Sequence, residues 1–496
     1  MNNLLKGLKQ ETNLTFTENH AITYKSTLSG IMDLFALGGA YRSRSDEDCI
    51  LLFKNAFDVN ETLALKCLFY LRDARGGQGE RRFWRVCMKW LANKHTEAAR
   101  RNLPYVSEFG RWDDLYVFVN TPLEAEAFKI IKHQLALDVE CKTPSLLAKW
   151  LKSENASSKE TKRLGAITRQ YLNMTSREYR LTLSILRERI NVLERLMSAG
   201  KWDEIEFDKI PSKAGLIYRN AFARRDIIAK KYESFMKDEK TKVNAGTLYP
   251  YEVVEKALCS GSRWSYNFYS LDDVERAAIN KYWDNLTDYF NGASLDALCV
   301  IDTSGSMMGT PMNVAVSLGM YAAERARGPF AGYYVSFASR PQLIKVDGID
   351  FVDKVRRIAE TNLCDNTNIE ATFDLLLNTA RKTHCTQEDL PKKLVIISDM
   401  EFDQARGYSY WHKSTTPTKS LIEGIEEKWN AAGYKMPKLV FWCVDARQDN
   451  IPMQVKDGVT FISGFSPVLF EQIMQNKGAW DLILDKLNSE RYSVIR

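Results

Sequence analysis

Residues 295–307 have the sequence LDALCVIDTSGSM, and this stretch decides how the rest of the chain is interpreted. Its first seven residues form a short, mostly apolar run, which is typical of a buried β-strand. Asp302, Ser304 and Ser306 follow at once and place one carboxylate and two hydroxyls just after the strand. In open α/β sheets, ligands bind at the carboxyl ends of the strands. The stretch therefore predicts a strand that ends in a ligand site.

The residues after this stretch alternate between strand-like and helix-like segments. Such alternation is typical of a doubly wound parallel sheet, because a parallel crossover needs a helix to return the chain. A short run at 343–346 follows a strand closely and could pair antiparallel at the sheet edge. The other predicted strands are 332–337, 394–398, 439–444 and 459–463, and the predicted helices are 312–325, 369–381, 420–431 and 468–487.

From about residue 51 to residue 290, apolar residues recur mainly at helical spacing, and glycines and prolines interrupt the pattern at intervals. Many helices joined by short turns favour an α-solenoid or irregular helical array over a four-helix bundle. The predicted fold is therefore α plus α/β. A basic helical domain is expected at 1–290 and an α/β domain at 295–496, with the boundary near Asn291.

Two later residues complete a candidate metal site with Asp302, Ser304 and Ser306. Asp399 follows a predicted strand, and Thr367 lies in a polar loop that opens a predicted helix. Hydroxyl and carboxylate oxygens suit Mg²⁺ or Mn²⁺ and not zinc. A second interpretation stays open, in which these side chains only cap a helix and no metal binds.

This pattern, D-x-S-x-S followed by a loop Thr and a strand-end Asp, resembles the metal-ion-dependent adhesion site of von Willebrand factor A domains. The resemblance extends over about residues 295–496. It implies that one coordination position stays open for a water or for the carboxylate of a protein partner. The two residues before the loop Thr depart from the family, in which both are usually glycine. The implied ligands are Ser304 and Ser306 directly, Thr367 directly or through water, and Asp302 and Asp399 mostly through water.

The formal net charge of +6 is unevenly distributed along the chain. Residues 1–294 hold 46 Lys and Arg against 38 Asp and Glu, whereas residues 295–496 hold 23 against 25. The stretches 72–101 and 142–189 are especially basic, with nine against three and eleven against four. Clustered basic residues are typical of a phosphate-binding face. The alternative is that they only form solvated faces of helices.

Residues 69–84, FYLRDARGGQGERRFW, combine a glycine-rich turn with four arginines, and Arg85 follows directly after. Glycines let a backbone approach a phosphate, and arginines supply forked donors. The segment is neither a Walker A motif nor a dinucleotide-binding fingerprint. The alternative is a helix–helix turn whose arginines pair with acids such as Asp73 and Glu80. The candidate RNA-binding residues are Arg72, Arg75, Arg81, Arg82, Arg85, Lys149 and Arg180.

The same segment, together with LPYVSEFGRWDDL at 103–115, resembles the TROVE module of the Ro ribonucleoprotein family. Stretches at 144–151, 180–187, 210–214 and 242–250 are similar to an uncharacterised, TROVE-like family of unknown function found in bacteria, phages, large viruses and plants. The resemblance implies HEAT-like helical repeats that form a ring closed by a von Willebrand A domain. It also implies binding of single-stranded RNA ends or small structured RNAs.

These features favour a non-enzymatic, Ro-type RNA-binding protein of the cytoplasm. Nine scattered cysteines without a CxxC pair are typical of a reduced, cytosolic protein. No apolar run approaches the roughly 20 residues that cross a membrane. The expected direct metal ligands are neutral hydroxyls, which suits capture of a partner's carboxylate better than hydrolysis, so no catalytic residues are expected. The alternative function is metal-dependent protein–protein interaction, or structural assembly, without RNA binding.

Overall fold

The computed structural model divides into two compact units. The larger unit comprises Met1–Cys67 and Ala245–Ser489, and the smaller unit comprises Leu68–Asn244 and Glu490–Arg496. The boundaries of these units differ from those of the segments 1–290 and 295–496 that the sequence suggests as domains. The structure describes residues 13–258, 271–337, 340–361, 368–403, 420–475 and 477–496.

The larger unit contains a two-stranded hairpin and a six-stranded sheet. The strands are β1 (Leu14–Phe16), β2 (Ile22–Tyr24), β3 (Ala297–Asp302), β4 (Tyr333–Phe337), β5 (Gln342–Lys345), β6 (Lys393–Ser398), β7 (Lys438–Cys443) and β8 (Val459–Ser463). The sheet has the order β5-β4-β3-β6-β7-β8, and all neighbours are parallel except β4 and β5. The predicted doubly wound sheet with an antiparallel edge strand is therefore confirmed.

Helices occupy most of the rest of both units. In chain order they are α1 (Gly30–Leu37), α2 (Asp46–Val59), α3 (Glu61–Arg72), α4 (Arg82–Lys94), α5 (Thr96–Asn102), α6 (Val106–Phe109), α7 (Glu124–Glu140), α8 (Leu147–Trp150), α9 (Lys159–Leu172), α10 (Ser176–Arg189), α11 (Leu193–Ser198), α12 (Ser212–Arg224), α13 (Asp226–Lys237), α14 (Pro250–Ala257), α15 (Asp273–Asp284), α16 (Thr310–Arg325), α17 (Phe351–Glu360), α18 (Ile369–Lys382), α19 (Leu421–Ala431), α20 (Leu469–Ile473) and α21 (Ala479–Leu487). None of the described helices is both long and apolar enough to span a membrane.

The central strands β3 and β6 are buried along their whole length. Both consist almost entirely of apolar residues, as a strand covered on both faces requires. Their parallel register aligns Val300 with Ile396 and Ile301 with Ile397. Because the strands run in step, Asp302 and Ser398 end side by side at the carboxyl edge of the sheet.

Among the described residues before 68, the β1–β2 hairpin and the α1 segment bond to the sheet and loops of the larger unit. Tyr24 and Ile451 exchange two backbone hydrogen bonds of 3.0 and 2.8 Å. On α1, the carbonyl of Phe35 accepts a hydrogen bond of 3.1 Å from the hydroxyl of Ser463. The amide of Gly39 donates to the same hydroxyl at 3.0 Å. The N-terminal part of the predicted helical domain is thus part of the sheet unit.

In the smaller unit, helices joined by turns and loops make up residues 68–244, all of which the structure describes, and there is no strand among them. This confirms the predicted helical array for the segment. An aromatic cluster lies in its core, where Phe69 packs edge-on against Trp84 and Phe109. Tyr492 stacks on Phe109 at a centroid distance of 5.5 Å. The last seven residues of the chain therefore pack with the helices, although the sequence places them in the α/β domain.

One predicted helix, 468–487, is wrong as a single element. The structure has two helices there, α20 and α21. Gly478 adopts an extended backbone conformation at the start of α21, with φ −65° and ψ 158°. A residue in that conformation cannot continue a helix, so the apolar periodicity runs across a break.

Candidate functional site

The carboxyl edge of the sheet brings the predicted metal-binding residues of β3 and β6 together. Asp302 is fully buried and accepts a hydrogen bond of 2.6 Å from the hydroxyl of Ser398. The backbone amide of Ser304 donates to its other carboxylate oxygen at 2.9 Å. Burial raises the pKa of Asp302 to about 7, and the nearby carboxylate of Asp399 adds to the rise. The carboxylates of Asp302 and Asp399 therefore lie close enough at this edge for their charges to interact.

The hydroxyls of Ser304 and Ser306 hydrogen-bond to each other at the short 3₁₀ turn after β3, with their Oγ atoms 3.0 Å apart. Neighbouring ligands of an octahedral Mg²⁺ with bonds of about 2.1 Å also lie about 3.0 Å apart. The two hydroxyls are therefore spaced as adjacent ligands of one such ion would be. The donor set of hydroxyls beside buried carboxylates also fits a hard cation.

Asp399 lies at the same edge and is almost fully buried. One carboxylate oxygen accepts from the Arg447 guanidinium at 2.9 Å, and the other accepts from the Glu401 amide at 3.1 Å. A carboxylate oxygen can accept more than one hydrogen bond, so Asp399 keeps capacity for a metal-bound water. Thr367 lies outside the described residues. Asn368, at the end of the same loop, caps α18 by accepting from the Ala371 amide at 2.9 Å.

The turn between β1 and β2 packs against this edge, which sequence reasoning did not anticipate. The Thr17 hydroxyl donates to the Phe402 carbonyl at 2.7 Å, and the Glu18 amide donates to the Glu401 carboxylate at 2.7 Å. Asn450 donates to the other Glu401 oxygen at 2.7 Å. Glu401 is thus buried and held by donors, and burial raises its pKa to about 7.

Arg447 is the main residue that sequence reasoning missed here. Its guanidinium bridges Asp399 and Glu18, at 2.9 Å to each. It stands four residues after the end of β7, at the carboxyl end of a third parallel strand, and that position was a usable signal. Among the described residues, no group of three or more His, Cys, Asp and Glu could hold a metal ion. A site at this edge would therefore depend on the serine hydroxyls.

A second site lies in the smaller unit. There the arginine- and glycine-rich turn within residues 69–84 meets the turn GRWDD at residues 110–114. Asp114 is fully buried and accepts from Arg72 at 2.8 and 2.5 Å and from Arg85 at 2.7 Å. The Arg111 amide also donates to Asp114, at 2.9 Å. An alanine methyl at Gly110 would lie 2.3 Å from the Asp114 carboxylate, so only glycine fits there. The two turns are therefore locked together by one carboxylate.

Basic side chains surround this carboxylate and its neighbour Asp113. Burial by itself would raise the pKa of Asp113, but Arg111 and Arg85 hold it below its ordinary value. The Arg111 guanidinium also stacks on Trp150, 3.9 Å from the ring centroid. We call the following group the basic cluster: Arg72, Arg81, Arg85, Arg111, Lys149 and Lys152, with Asp113 and Asp114.

The basic cluster has six cations against two carboxylates, and two of its cations, Arg81 and Lys149, form no direct ion pair with a described carboxylate. Arg81 is solvent-accessible, although neighbouring residues partly cover its guanidinium, and its side chain makes no hydrogen bond or ion pair with any residue that the structure describes. Partial burial and the charges of Arg111 and Arg85 lower the pKa of Arg81. Lys149 lies 5.7 Å from the Trp150 centroid and likewise has no carboxylate partner among the described residues. The cluster therefore has excess positive charge at the surface.

Four of the seven predicted RNA-binding residues lie in the basic cluster, and three lie outside it. Arg72 is only 2% exposed and is bonded to Asp114, so it is a structural residue that a bound RNA could not reach. Arg85 is also bonded to Asp114 and Asp113, but it is part-exposed. Arg81 and Lys149 lie in the cluster, as do two residues that the prediction missed, Arg111 and Lys152. The remaining predicted residues, Arg75, Arg82 and Arg180, lie outside the defined cluster, and Arg75 and Arg180 are exposed.

Comparison with known proteins places the chain in a family without assigned function. A family model described as "Domain of unknown function (DUF7788)" matches residues 296–492. An uncharacterized protein, L728, of Acanthamoeba polyphaga mimivirus is 30% identical over 504 residues, which cover 93% of this chain and 85% of that protein. The crystal structure of the Deinococcus radiodurans RO (RSR) protein matches with 13% identity and a TM-score of 0.49, covering 94% of this chain and all of that one. At that identity and TM-score the likeness carries no argument about function. A second family model, "Domain of unknown function (DUF2828)", matches residues 17–162 and 142–293, more than half of the chain, and the chain therefore belongs to the DUF2828 family.

Proposed function

We propose that this protein is a non-enzymatic RNA-binding protein that contacts RNA phosphates through its smaller unit. The observation that carries the proposal is the separation of charge between the units. The smaller unit has 37 Lys and Arg against 24 Asp and Glu, a net charge of +13. The larger unit has 32 against 39, a net charge of −7. A strongly basic unit within a chain of modest net charge is the electrostatic footprint expected of a nucleic-acid-binding surface.

The basic cluster supplies a local reason for binding at one place on that unit. Arg81 and Lys149 offer charges that no described carboxylate pairs with directly, and Trp150 lies beside Lys149. Phosphate contacts give affinity without base specificity, and aromatic side chains add stacking. The TROVE-like sequence of the two turns favours RNA over other polyanions.

Substitution of Arg81 and Lys149 tests this proposal. The double variant Arg81→Gln, Lys149→Gln should bind a labelled single-stranded RNA more weakly in fluorescence anisotropy. Each lost phosphate contact flattens the plot of log K against log salt by about 0.7 for single strands, so the slope should fall by about 1.4. Neither side chain anchors another residue by a hydrogen bond, so the variant should fold normally.

The matched control removes two cations that are already paired. Arg163 and Lys237 are exposed residues of the same unit, bonded to Glu160 and Glu233. Arg163→Gln with Lys237→Gln makes the same change in net charge and should leave the slope within experimental error. If both double variants lose affinity equally, the basic cluster is not the binding site. If the wild-type protein does not bind RNA at low salt, the RNA proposal is wrong.

We also propose that the carboxyl edge of the sheet binds Mg²⁺ or Mn²⁺ through Ser304 and Ser306, with Asp302 and Asp399 acting mostly through water. The 3.0 Å separation of the two hydroxyls supports this assignment. The double variant Ser304→Ala, Ser306→Ala should lose Mn²⁺ binding in isothermal titration calorimetry and keep the wild-type circular dichroism spectrum. The control Ser317→Ala removes a buried hydroxyl of α16 that bonds to the Val314 carbonyl, and it should bind Mn²⁺ normally. Wild-type affinity in the double variant would contradict the assignment.

A second function, metal-dependent capture of a protein partner without RNA binding, is favoured by the same serine pair. Neutral direct ligands leave a bound cation strongly attractive to a partner's carboxylate. The two functions differ in their response to salt and metal. RNA binding should weaken steeply with salt and survive EDTA, whereas capture of a carboxylate through the ion should be abolished by EDTA.

A further inference from the structure

A cavity of about 340 Å³ lies at the amino-terminal edge of the sheet, the edge opposite to Asp302. The first residues of β6, β7 and β8 line it, and so do residues of α20 and α21. Its volume is at the lower end of the range of about 300–1,000 Å³ that small-molecule sites occupy. No part of the metal-binding edge contributes to it.

The charged residues that line the cavity are mostly basic, although the unit that contains it is acidic overall. The larger unit has a net charge of −7, yet basic residues dominate the charged lining of this cavity. Such a local reversal means that the cavity favours anions. Its charged residues are Lys393, Lys435, Lys438, Lys456 and Lys477 against Glu426 and Asp457.

Three of the five lysines have no carboxylate partner among the described residues. Lys456 pairs with Glu426, and Lys477 pairs with a carboxylate outside the cavity, that of Asp485. By contrast, the side chains of Lys435 and Lys438 make no hydrogen bond or ion pair that involves a described residue. The positive charge of the cavity is therefore largely uncompensated.

Lys393 is the most unusual of these side chains, because it is only 8% exposed. Its ammonium donates to the backbone carbonyls of Ile473 and Gln475, the latter at 3.0 Å. Two carbonyl dipoles replace water but do not neutralise the charge. Burial, with a contribution from Lys438, lowers the pKa of Lys393 to about 8. A buried cation of this kind is stabilised by any anion that enters the cavity.

We propose that this lysine-lined cavity binds a small phosphate-bearing molecule. A phosphate group accepts several charge-assisted hydrogen bonds at once, which matches a cavity that presents several ammonium groups. The size of the cavity suits a pyrophosphate or the diphosphate part of a nucleotide, and it excludes a folded RNA. The cavity is separate from the basic cluster and from the proposed metal site, so it does not depend on either proposal.

Calorimetric titration of the full chain with inorganic pyrophosphate and with ADP tests the proposal. EDTA is present throughout, so that binding cannot occur through a metal ion at the opposite edge of the sheet. The variant Lys435→Gln, Lys438→Gln changes two exposed side chains and should fold normally. It should bind both probes at least tenfold more weakly than the wild-type protein. Tighter binding of ADP than of pyrophosphate would identify a nucleotide, whereas equal affinities would identify the phosphate groups alone.

The control is Lys392→Gln, next to Lys393 in the sequence but outside the cavity. Lys392 is 79% exposed and pairs with Asp296. This variant should bind both probes with wild-type affinity. The proposal is overturned if neither probe binds the wild-type protein, or if all the variants bind equally well. It is also overturned if Arg81→Gln with Lys149→Gln removes the binding, because the anions would then occupy the basic cluster.

Discussion

The carboxylate of Asp114 joins two turns that lie about 40 residues apart in the chain, and it does so with both oxygens. A buried charge is tolerated only when it is paired and hydrogen-bonded, and Arg72 and Arg85 meet that requirement. The sequence alone left open whether these arginines pair with acids or contact RNA. In the structure Arg72 is bonded to the Asp114 carboxylate, whereas Arg81, nine residues later, forms no direct ion pair with a described residue. Neighbouring arginines in one motif therefore have different roles.

Substitution of Gly110 tests this arrangement at the residue scale. In Gly110→Ala the new methyl would lie 2.3 Å from the Asp114 carboxylate and 2.9 Å from the Val106 carbonyl. Either the arginine–carboxylate pair separates or the turn shifts, and we expect a loss of about 2 kcal/mol or more in unfolding free energy. The midpoint of thermal unfolding should fall by about 4 °C or more.

The control for this substitution is Gly424→Ala in α19, where a methyl would meet nothing within 4 Å. Alanine favours a helix interior by about 0.5–1 kcal/mol over glycine, so this variant should be as stable as the wild-type protein or slightly more stable. Unchanged thermal stability of Gly110→Ala would mean that the two turns are not locked by Asp114.

At the scale of elements, local sequence patterns predicted the sheet well. The apolar run at 459–463 coincides with β8, and the other predicted strands agree with the structure to within one residue at most ends. Buried parallel strands are nearly continuous apolar runs, so their signal is strong. The predicted helix at 468–487 failed because apolar periodicity continues across Gly478, where only the backbone conformation reveals the break.

The same reasoning explains which parts of the candidate metal site could be predicted. Asp302 and Asp399 each follow a strand, and the strand order alone brings them to one edge of the sheet. Glu18 could not be predicted there, because its contact with Arg447 joins residues more than 400 positions apart. The hairpin that carries Glu18 has strands of only three residues each, too short for a clear alternating pattern.

At the scale of the whole molecule, the compact units are discontinuous in sequence, and this is why the linear charge profile underestimates the separation of charge. Residues 1–67 and 245–294 belong to the acidic larger unit, but a division near residue 290 counts them with the basic helices. The linear division gives net charges of +8 and −2, whereas the units have +13 and −7. The sequence alone therefore shows the basic excess, but its full size depends on which segments the fold assigns to each unit.

The basic cluster lies in the smaller unit and the proposed metal site in the larger unit, and this leads to a prediction about their coupling. No described residue of either site belongs to the other unit, so occupation of one site should leave the contacts of the other unchanged. We expect saturating RNA to alter the dissociation constant for Mn²⁺ by less than about twofold. By linkage, saturating Mn²⁺ should alter RNA affinity by the same small factor. Calorimetry of Mn²⁺ binding with and without RNA, and anisotropy of RNA with and without Mn²⁺, measure the two sides of this cycle.

A reciprocal change of about fivefold or more would correspond to a coupling free energy of roughly 1 kcal/mol. Such a change would show that metal and RNA act on a shared conformational equilibrium, and the serine pair would then be a regulator of RNA binding instead of an independent site.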